Sequence, residues 1–370
     1  MIVKNNYSEC ITNLACSIRK YFIFDYKHNS VSYIDKLLEE KQPKNVVIML
    51  FDGMGSIILD RTLEKDDFFI KNKFKEITTV FPATTTAATY SVMTGLNPVE
   101  HGFLGWYSYI KPLDEVIMLF KGINKDTQNV DERFFEVKEK YFVNKTITDE
   151  INENGKYKSR ILFPFGENKY NDLDDMLSII KNECDLDEKK YIYAYNDEPD
   201  HLMHMVGPDN IDVKNLIKDR NDKVEKLCKE LDDTIVFVIA DHGHIKVDNI
   251  FLKNYPDLIN MLKRTTSIEQ RAVSFEIKDG MHKKFEKKFN ELFGKYFTLY
   301  NSEEIINSKL FGDGKENPLF RSALGDYLAI AESSNKTLIM DGDDELFSQH
   351  AGYTDDEIYI PLIIIDKCKK

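Results

Sequence analysis

The sequence is poor in the features that mark disulfide-stapled domains, membrane spans and polymer-binding surfaces. It has five cysteines in 370 residues. Cys10, Cys16, Cys184, Cys228 and Cys368 form an odd, scattered set, which argues against a disulfide framework and reads as reduced thiols. Cys10 and Cys16 are not at the close spacing of a zinc clamp. No apolar run approaches the roughly 20 residues a spanning helix needs, and the longest, at 359–365, is strand-sized. The opening residues MIVKNNYSEC carry no apolar stretch of the kind a secretory leader has, so the cytoplasm is the default compartment. Positive charge is also short. With 50 Lys and Arg against 63 Asp and Glu, the formal net charge is −13. Such a surface repels nucleic-acid polymers and anionic membranes. It does not exclude a small anionic substrate, whose binding depends on local charge. Internal repeats and low-complexity linkers are absent as well, and nothing in the sequence reports an oligomeric state.

What is present is an ordinary globular composition, 42% hydrophobic and 31% charged. A chain this long corresponds to about two domains, or to one large α/β core with an insertion. Apolar strand-like runs alternate with amphipathic helical stretches, the pattern of a mostly parallel sheet with helices on both faces. Strands are predicted over 46–51, 77–81, 191–195, 234–240, 327–331 and 359–365, and helical periodicity over 29–40 and 212–231. Between 263 and 319 the pattern changes to a strand at 272–277, a helix at 281–293 and a strand at 296–300. The expected division is a core of residues 1–262 and 320–370 with a small α+β cap insertion at 263–319, placed to act as a lid over the sheet's rim.

Three of the strands run into polar clusters. The first meets Asp52-Gly53-Met54-Gly55, the 191–195 strand meets Asn196 to Asp200, and the 234–240 strand meets Asp241-His242-Gly243-His244. Ligands of open α/β sheets bind at the carboxyl ends of strands. One Asp-Gly pair is ordinary turn chemistry, whereas three such clusters converge on one rim. Thr84, Thr85 and Thr86 sit where a helix begins after 77–81, ending at Gly95, and a helix start favours an anion. As isolated residues these threonines read equally well as N-caps. Asp200 and His204, four apart on a helix, share one face and can ligate one cation. His350 stands alone. His101, His201 and His244 are left unassigned, as supporting or surface residues.

The order of these pieces resembles the alkaline phosphatase superfamily, and within it the nucleotide pyrophosphatase/phosphodiesterase-like proteins. The matching segments are the strand into Asp52-Gly53, Pro82 with the nucleophile three residues on, Thr94-Gly95-Leu96-Asn97-Pro98 and His101-Gly102. They continue with Pro199-Asp200 and His204 before Gly207-Pro208, Ala240-Asp241-His242-Gly243, and His350 before Pro361-Leu362-Ile363. The resemblance implies a three-layer αβα sandwich. It also implies one metal held by Asp200, His204 and His350, a second held by Asp52, Asp241 and His242, and Thr85 as a nucleophile that touches the second metal. Relatives acting on nucleotides carry an Asn after the His-Gly turn. The comparable position here is at or near Trp106, whose indole donates a single hydrogen bond. No equivalent of the phosphate-clamping Arg of alkaline phosphatases is found, which favours diesters over monoesters.

The residue types suit that chemistry. A neutral threonine hydroxyl is a poor nucleophile and needs activation, which a dication supplies. Two dications set against three aspartates leave the site net positive despite the acidic surface. Mixed His and Asp donors suit zinc, with manganese as the alternative. The expected activity is metal-dependent hydrolysis of a phosphate ester, as a phosphodiesterase or nucleotide pyrophosphatase, through a phosphothreonine. The expected partner is a small phosphate-ester substrate. A phosphotransferase, mutase or phosphonate hydrolase would use the same site. A metal-binding interaction protein without turnover would have no need of Thr85.

Overall fold

The structure, a computed structural model, describes residues 4–23 and 27–368. Its centre is a sheet of β1 (Asn45–Phe51), β2 (Lys73–Thr78), β3 (Lys158–Leu162), β4 (Lys190–Asn196), β5 (Thr234–Ile239) and β6 (Tyr359–Asp366), in the order β2-β6-β5-β1-β4-β3. Strands β5, β1, β4 and β3 are mutually parallel, and β6 runs antiparallel to both of its neighbours. Every residue of β1, β4 and β5 is buried. That follows from their apolar and aromatic centres, which suit strands covered on both faces, with polar residues confined to the strand ends.

The covering helices fall into two packed groups. Ile11–Ile23 lies against Thr85–Thr94 and Ile147–Asn154. Ile211–Glu230 lies against Ser56–Thr62, Phe68–Asn72 and Leu173–Asp185. With the sheet between them, these groups make the expected three-layer αβα sandwich.

Two predicted strands behave differently. The one expected at 77–81 is Lys73–Thr78 at the sheet edge. Val80 and Phe81 are apolar because they are buried beyond the strand, on the way to Thr85. The 327–331 strand, Tyr327–Ile330, is not in the central sheet. It belongs to a second sheet with the order Thr298–Asn301, Tyr327–Ile330, Ala272–Phe275, Ser267–Ile268, Tyr107–Ile110, Glu115–Met118, Ile123–Asn124. Leu328 and Ile330 enter one apolar cluster while Ala329 enters another. Burial on both faces gives this strand the apolar run of a central parallel strand, although its pairing is antiparallel. The second sheet therefore draws strands from both sides of the 263–319 segment. The helix within it, His282–Phe293, puts Phe285, Phe289 and Phe293 on one stripe facing that sheet's core.

Candidate metal centre and nucleophile

Strands β5, β1 and β4 are neighbours, so the residues that follow them meet. The Asp52 N–H donates to the Asn196 carbonyl at 2.9 Å, and the Asp200 N–H donates to the Asp52 carbonyl at 3.0 Å. Asp241 Oδ1 accepts from the Gly53 and His242 N–H groups, each at 3.0 Å. The glycines are required by proximity. A Cβ on Gly55 would lie 2.4 Å from the Gly243 Cα, and one on Gly243 would lie 1.9 Å from the Asp356 carbonyl oxygen. Backbone thus packs on backbone where the Asp52 and Asp241 loops touch.

Thr85 opens the helix Thr85–Thr94, with Thr84 extended before it and Gly95 in the left-handed region (φ 68°) closing it. This helix start faces the strand ends. The Thr85 hydroxyl lies 3.2 Å from Asp52 Oδ2 and 3.2 Å from His242 Nε2. His350 arrives from the short strand Ser348–Gln349, and the Ala351 N–H bonds to the Ala83 carbonyl at 2.9 Å, two residues before Thr85. The His242 and His350 rings stack 3.8 Å apart.

The histidines are oriented in one manner. His204 Nδ1 bonds to the Ser348 carbonyl at 2.8 Å, His242 Nδ1 to the Gly243 carbonyl at 3.0 Å, and His350 Nδ1 to the Ala83 carbonyl at 3.1 Å. A carbonyl only accepts, so each Nδ1 carries a proton and each Nε2 faces the site, where its lone pair is open to a cation once any second proton has left. His204 Nε2 is 3.1 Å from Asp200 Oδ2, and His242 Nε2 is 3.2 Å from Asp52 Oδ1.

Several buried ligand-type atoms here satisfy nothing among the described residues. Asp200 Oδ1, Asp241 Oδ2 and His244 Nε2 are enclosed without a hydrogen-bond partner. His244 Nε2 and Asp200 Oδ1 are only 2.8 Å apart, yet they are not aligned as donor and acceptor. Orphaned polar atoms are expensive in a protein interior, and atoms aimed past one another fit a shared cation. Donor atoms of Asp200, His204, His244 and His350 lie within 4.8 Å of one another, as do those of Asp52, Asp200 and His242. These are two candidate metal clusters with mixed nitrogen and oxygen donors, and their composition suits a divalent transition metal.

Electrostatics separates the carboxylates. Burial pushes the Asp52 pKa well above the usual carboxylate range, with the Asp200 charge adding to it. Asp241 is likewise raised by burial and by Asp52. Burial also acts to raise Asp200, but His204 and His244 outweigh it and hold this carboxyl well below the ordinary value. Burial opposes charge on His204, and Asp200 overcomes it, raising the imidazole to about 9. His244 goes the other way, lowered to about 4 by burial and by the His204 charge. Such opposed shifts in one cleft are the usual mark of a functional site.

The structure brings all seven sequence-predicted residues, Asp52, Thr85, Asp200, His204, Asp241, His242 and His350, to this rim. It adds three that sequence reasoning left out. His244 joins the Asp200 cluster, and its spacing of two from His242 after a buried strand was the available signal. Tyr195 donates a hydrogen bond to Asp52 Oδ2 from the penultimate position of β4. Glu269 accepts from the Thr84 hydroxyl and from the Trp106 backbone N–H, both at 2.7 Å. His201 is exposed and lines the cleft, whereas His101 is fully buried and bonds to Ser91.

The cleft above Thr85 measures about 490 Å³. Its walls come from 106–125, 200–205, 266–270 and 343–350. Of the expected cap insertion, only 266–270 face it.

Residues 46–354 match the sequence profile described as type I phosphodiesterase / nucleotide pyrophosphatase. The chain belongs to the type I phosphodiesterase/nucleotide pyrophosphatase family. Solved structures agree on the fold. Murine ectonucleotide pyrophosphatase/phosphodiesterase 5, described as an inactive threonine-to-alanine form in complex with AMP, has a TM-score of 0.65 at 20% identity. The alignment covers 86% of this chain and 87% of that one. The human protein of the same name gives 0.65 at 18% identity over the same shares. No curated protein sequence matches. For this family member the cytoplasmic default does not stand. The solved relatives are ecto-enzymes by name, and a charge and hydropathy reading of the sequence has no means of seeing that. Among the described residues no helix is long and apolar enough to cross a membrane, which by itself assigns no compartment.

Proposed function

We propose that this chain hydrolyses phosphate esters as a phosphodiesterase or nucleotide pyrophosphatase, with Thr85 as the nucleophile and two divalent cations as cofactors. The observation that carries the reading is the Thr85 hydroxyl, 3.2 Å from both Asp52 Oδ2 and His242 Nε2 and open to the cleft. A hydroxyl serving only as a helix cap has no reason to sit between a buried carboxylate and a buried imidazole nitrogen.

In this reading Asp200, His204 and His350, with His244 beside them, hold one cation, and Asp52, Asp241 and His242 hold the other. Zinc suits the donor set best, and manganese is the alternative. The bound cations supply positive charge that favours the Thr85 alkoxide and offsets the charge of the phosphoryl oxygens. Thr85 Oγ1 forms a bond to phosphorus as the bond to the leaving oxygen breaks. Water then cleaves the phosphothreonine ester, releasing the phosphorylated half of the substrate and restoring the hydroxyl. The start of helix Thr85–Thr94 turns free backbone N–H groups toward the transferring group. Tyr195 fixes the orientation of Asp52 through its hydrogen bond. The murine relative, inactive as a threonine-to-alanine form and complexed with AMP, supports both the threonine nucleophile and a nucleotide-sized substrate.

The test is turnover of an aryl phosphodiester by zinc- or manganese-loaded protein. Thr85→Ala is expected to lower kcat by about a thousandfold or more while metal content stays at the wild-type level. Full activity in metal-loaded Thr85→Ala protein would refute the nucleophile.

A further inference from the structure

Glu269 lines the cleft beside the residue that precedes Thr85, lies outside the two metal clusters, and has no cation paired with it among the described residues. The Thr84 hydroxyl and the Trp106 N–H both donate to its Oε1. Thr84 immediately precedes Thr85, so these two bonds anchor the carboxyl at the flank of the nucleophile. Among the described residues Glu269 Oε2 has no hydrogen-bond partner; it is not an enclosed polar atom, and it belongs to a residue that lines the cleft. The other charges on the walls do not cancel it. Lys125 pairs with Asp343 at 2.7 Å, donates to the Thr266 carbonyl at 3.0 Å and lies over the Tyr107 ring. Lys121 is exposed and therefore screened by solvent. Asp344 adds a further negative charge.

We infer that Glu269 is a specificity-determining residue that selects phosphodiesters over phosphomonoesters by charge. This rests on the proposed reading of the site as a phosphoryl-transfer centre and names the substrate class within it. At weakly alkaline pH a monoester phosphoryl group carries two negative charges and a diester one. A fixed carboxylate beside the phosphoryl position opposes the dianion about twice as strongly as the monoanion, and it does so in a partly desolvated cleft where charge is poorly screened. The carboxyl has to be ionised to act this way. Burial raises its pKa to about 7, against the lowering effect of the Thr84 and Trp106 hydrogen bonds, so at pH 8 the charged form prevails. Specificity of this kind works by penalising the wrong ligand rather than by attracting the right one. It also accounts for the hydrogen bonds that Thr84 and Trp106 spend on a side chain instead of leaving them free for substrate.

The experiment uses the full chain loaded with zinc at pH 8, with Glu269→Gln and Glu269→Ala beside the wild type. One arm measures kcat/KM for an aryl phosphodiester and an aryl phosphomonoester with the same leaving group. The other arm measures binding of inorganic phosphate by calorimetry, which needs no turnover. Both variants are expected to bind phosphate about tenfold more tightly and to shift the diester-to-monoester ratio about tenfold toward the monoester. Unchanged phosphate affinity in both variants at full zinc content would overturn the inference. So would an equal loss of both activities in Glu269→Ala, which would make Glu269 a positioning residue that holds Thr84 and Trp106 instead of a filter. Tighter phosphate binding without turnover of either ester would uphold the charge filter and count against the hydrolase reading alone.

Discussion

A single imidazole, His244, separates the structure's account of the metal centre from a ligand set of three residues per ion. Its Nε2 is buried, has no aligned partner and lies 2.8 Å from Asp200 Oδ1. If it helps to hold the cation of the Asp200 cluster, His244→Ala should weaken that site about 10- to 100-fold, read by competition with a chromogenic chelator. An unchanged affinity would return His244 to a packing role. His101 offers a different test at the same scale. It is fully buried, and burial lowers its pKa to about 3. Between its unfolded value near 6.5 and that folded value, the unfolded chain binds the proton and the native protein does not. Stability is therefore expected to fall as pH drops from about 6.5 toward 3, at up to roughly 1.4 kcal/mol per pH unit. In His101→Asn the thermal melting temperature should depend less on pH over that window, and an identical slope would exclude His101 as a source. The sequence made His204 legible because Asp200 sits one helical turn away. His244 was signalled only by His242 two residues before it and Glu269 by nothing nearby, because the groups they meet are distant in the chain: Asp200 lies 44 residues from His244, and Thr84 lies 185 residues from Glu269.

Elements meet at the rim through contacts that leave no room for side chains. The Asp52 loop and the Asp241 loop touch at Gly55 and Gly243, and Gly243 also abuts the Asp356 carbonyl. Gly243→Ala has to displace backbone, and the expected loss is about 3–4 kcal/mol of unfolding free energy together with weaker metal binding. Chemical denaturation and metal analysis would check both, and a variant with wild-type stability would show that the loops move apart freely. A buried ion pair joins the second sheet to the same loops. Arg271 reaches Glu357 at 2.7 and 3.0 Å, and both side chains are fully enclosed. Glu357 in turn accepts from the Gly352 N–H, two residues after His350. Arg271→Met strands a buried carboxylate and should destabilise the protein by about 3–5 kcal/mol, with Arg271→Met/Glu357→Leu recovering part of it. Strand positions were largely legible, since β1, β4 and β5 announce themselves by apolar and aromatic runs at 46–51, 191–195 and 235–239. Sheet membership was not. Tyr327–Ile330 is as apolar as a central strand, and only its hydrogen-bond partners place it in the antiparallel sheet.

At the scale of the molecule, the sandwich draws its candidate metal ligands from nearly the whole chain, from Asp52 to His350. Metal binding and folding should therefore be linked. Zinc at 100 times its dissociation constant is expected to stabilise the native state by about 2.7 kcal/mol per site, and removal by a chelator should reverse this. His204, raised to about 9 by Asp200 in the metal-free protein, must give up its proton to a cation, so apparent affinity should rise with pH up to about that value. The most direct measurement is anomalous diffraction from zinc-loaded crystals. The account predicts two peaks roughly 4 Å apart, one among Asp200, His204, His244 and His350, the other among Asp52, Asp241 and His242 beside the Thr85 hydroxyl. Peaks elsewhere, or a single peak remote from Thr85 in fully loaded protein, would contradict it.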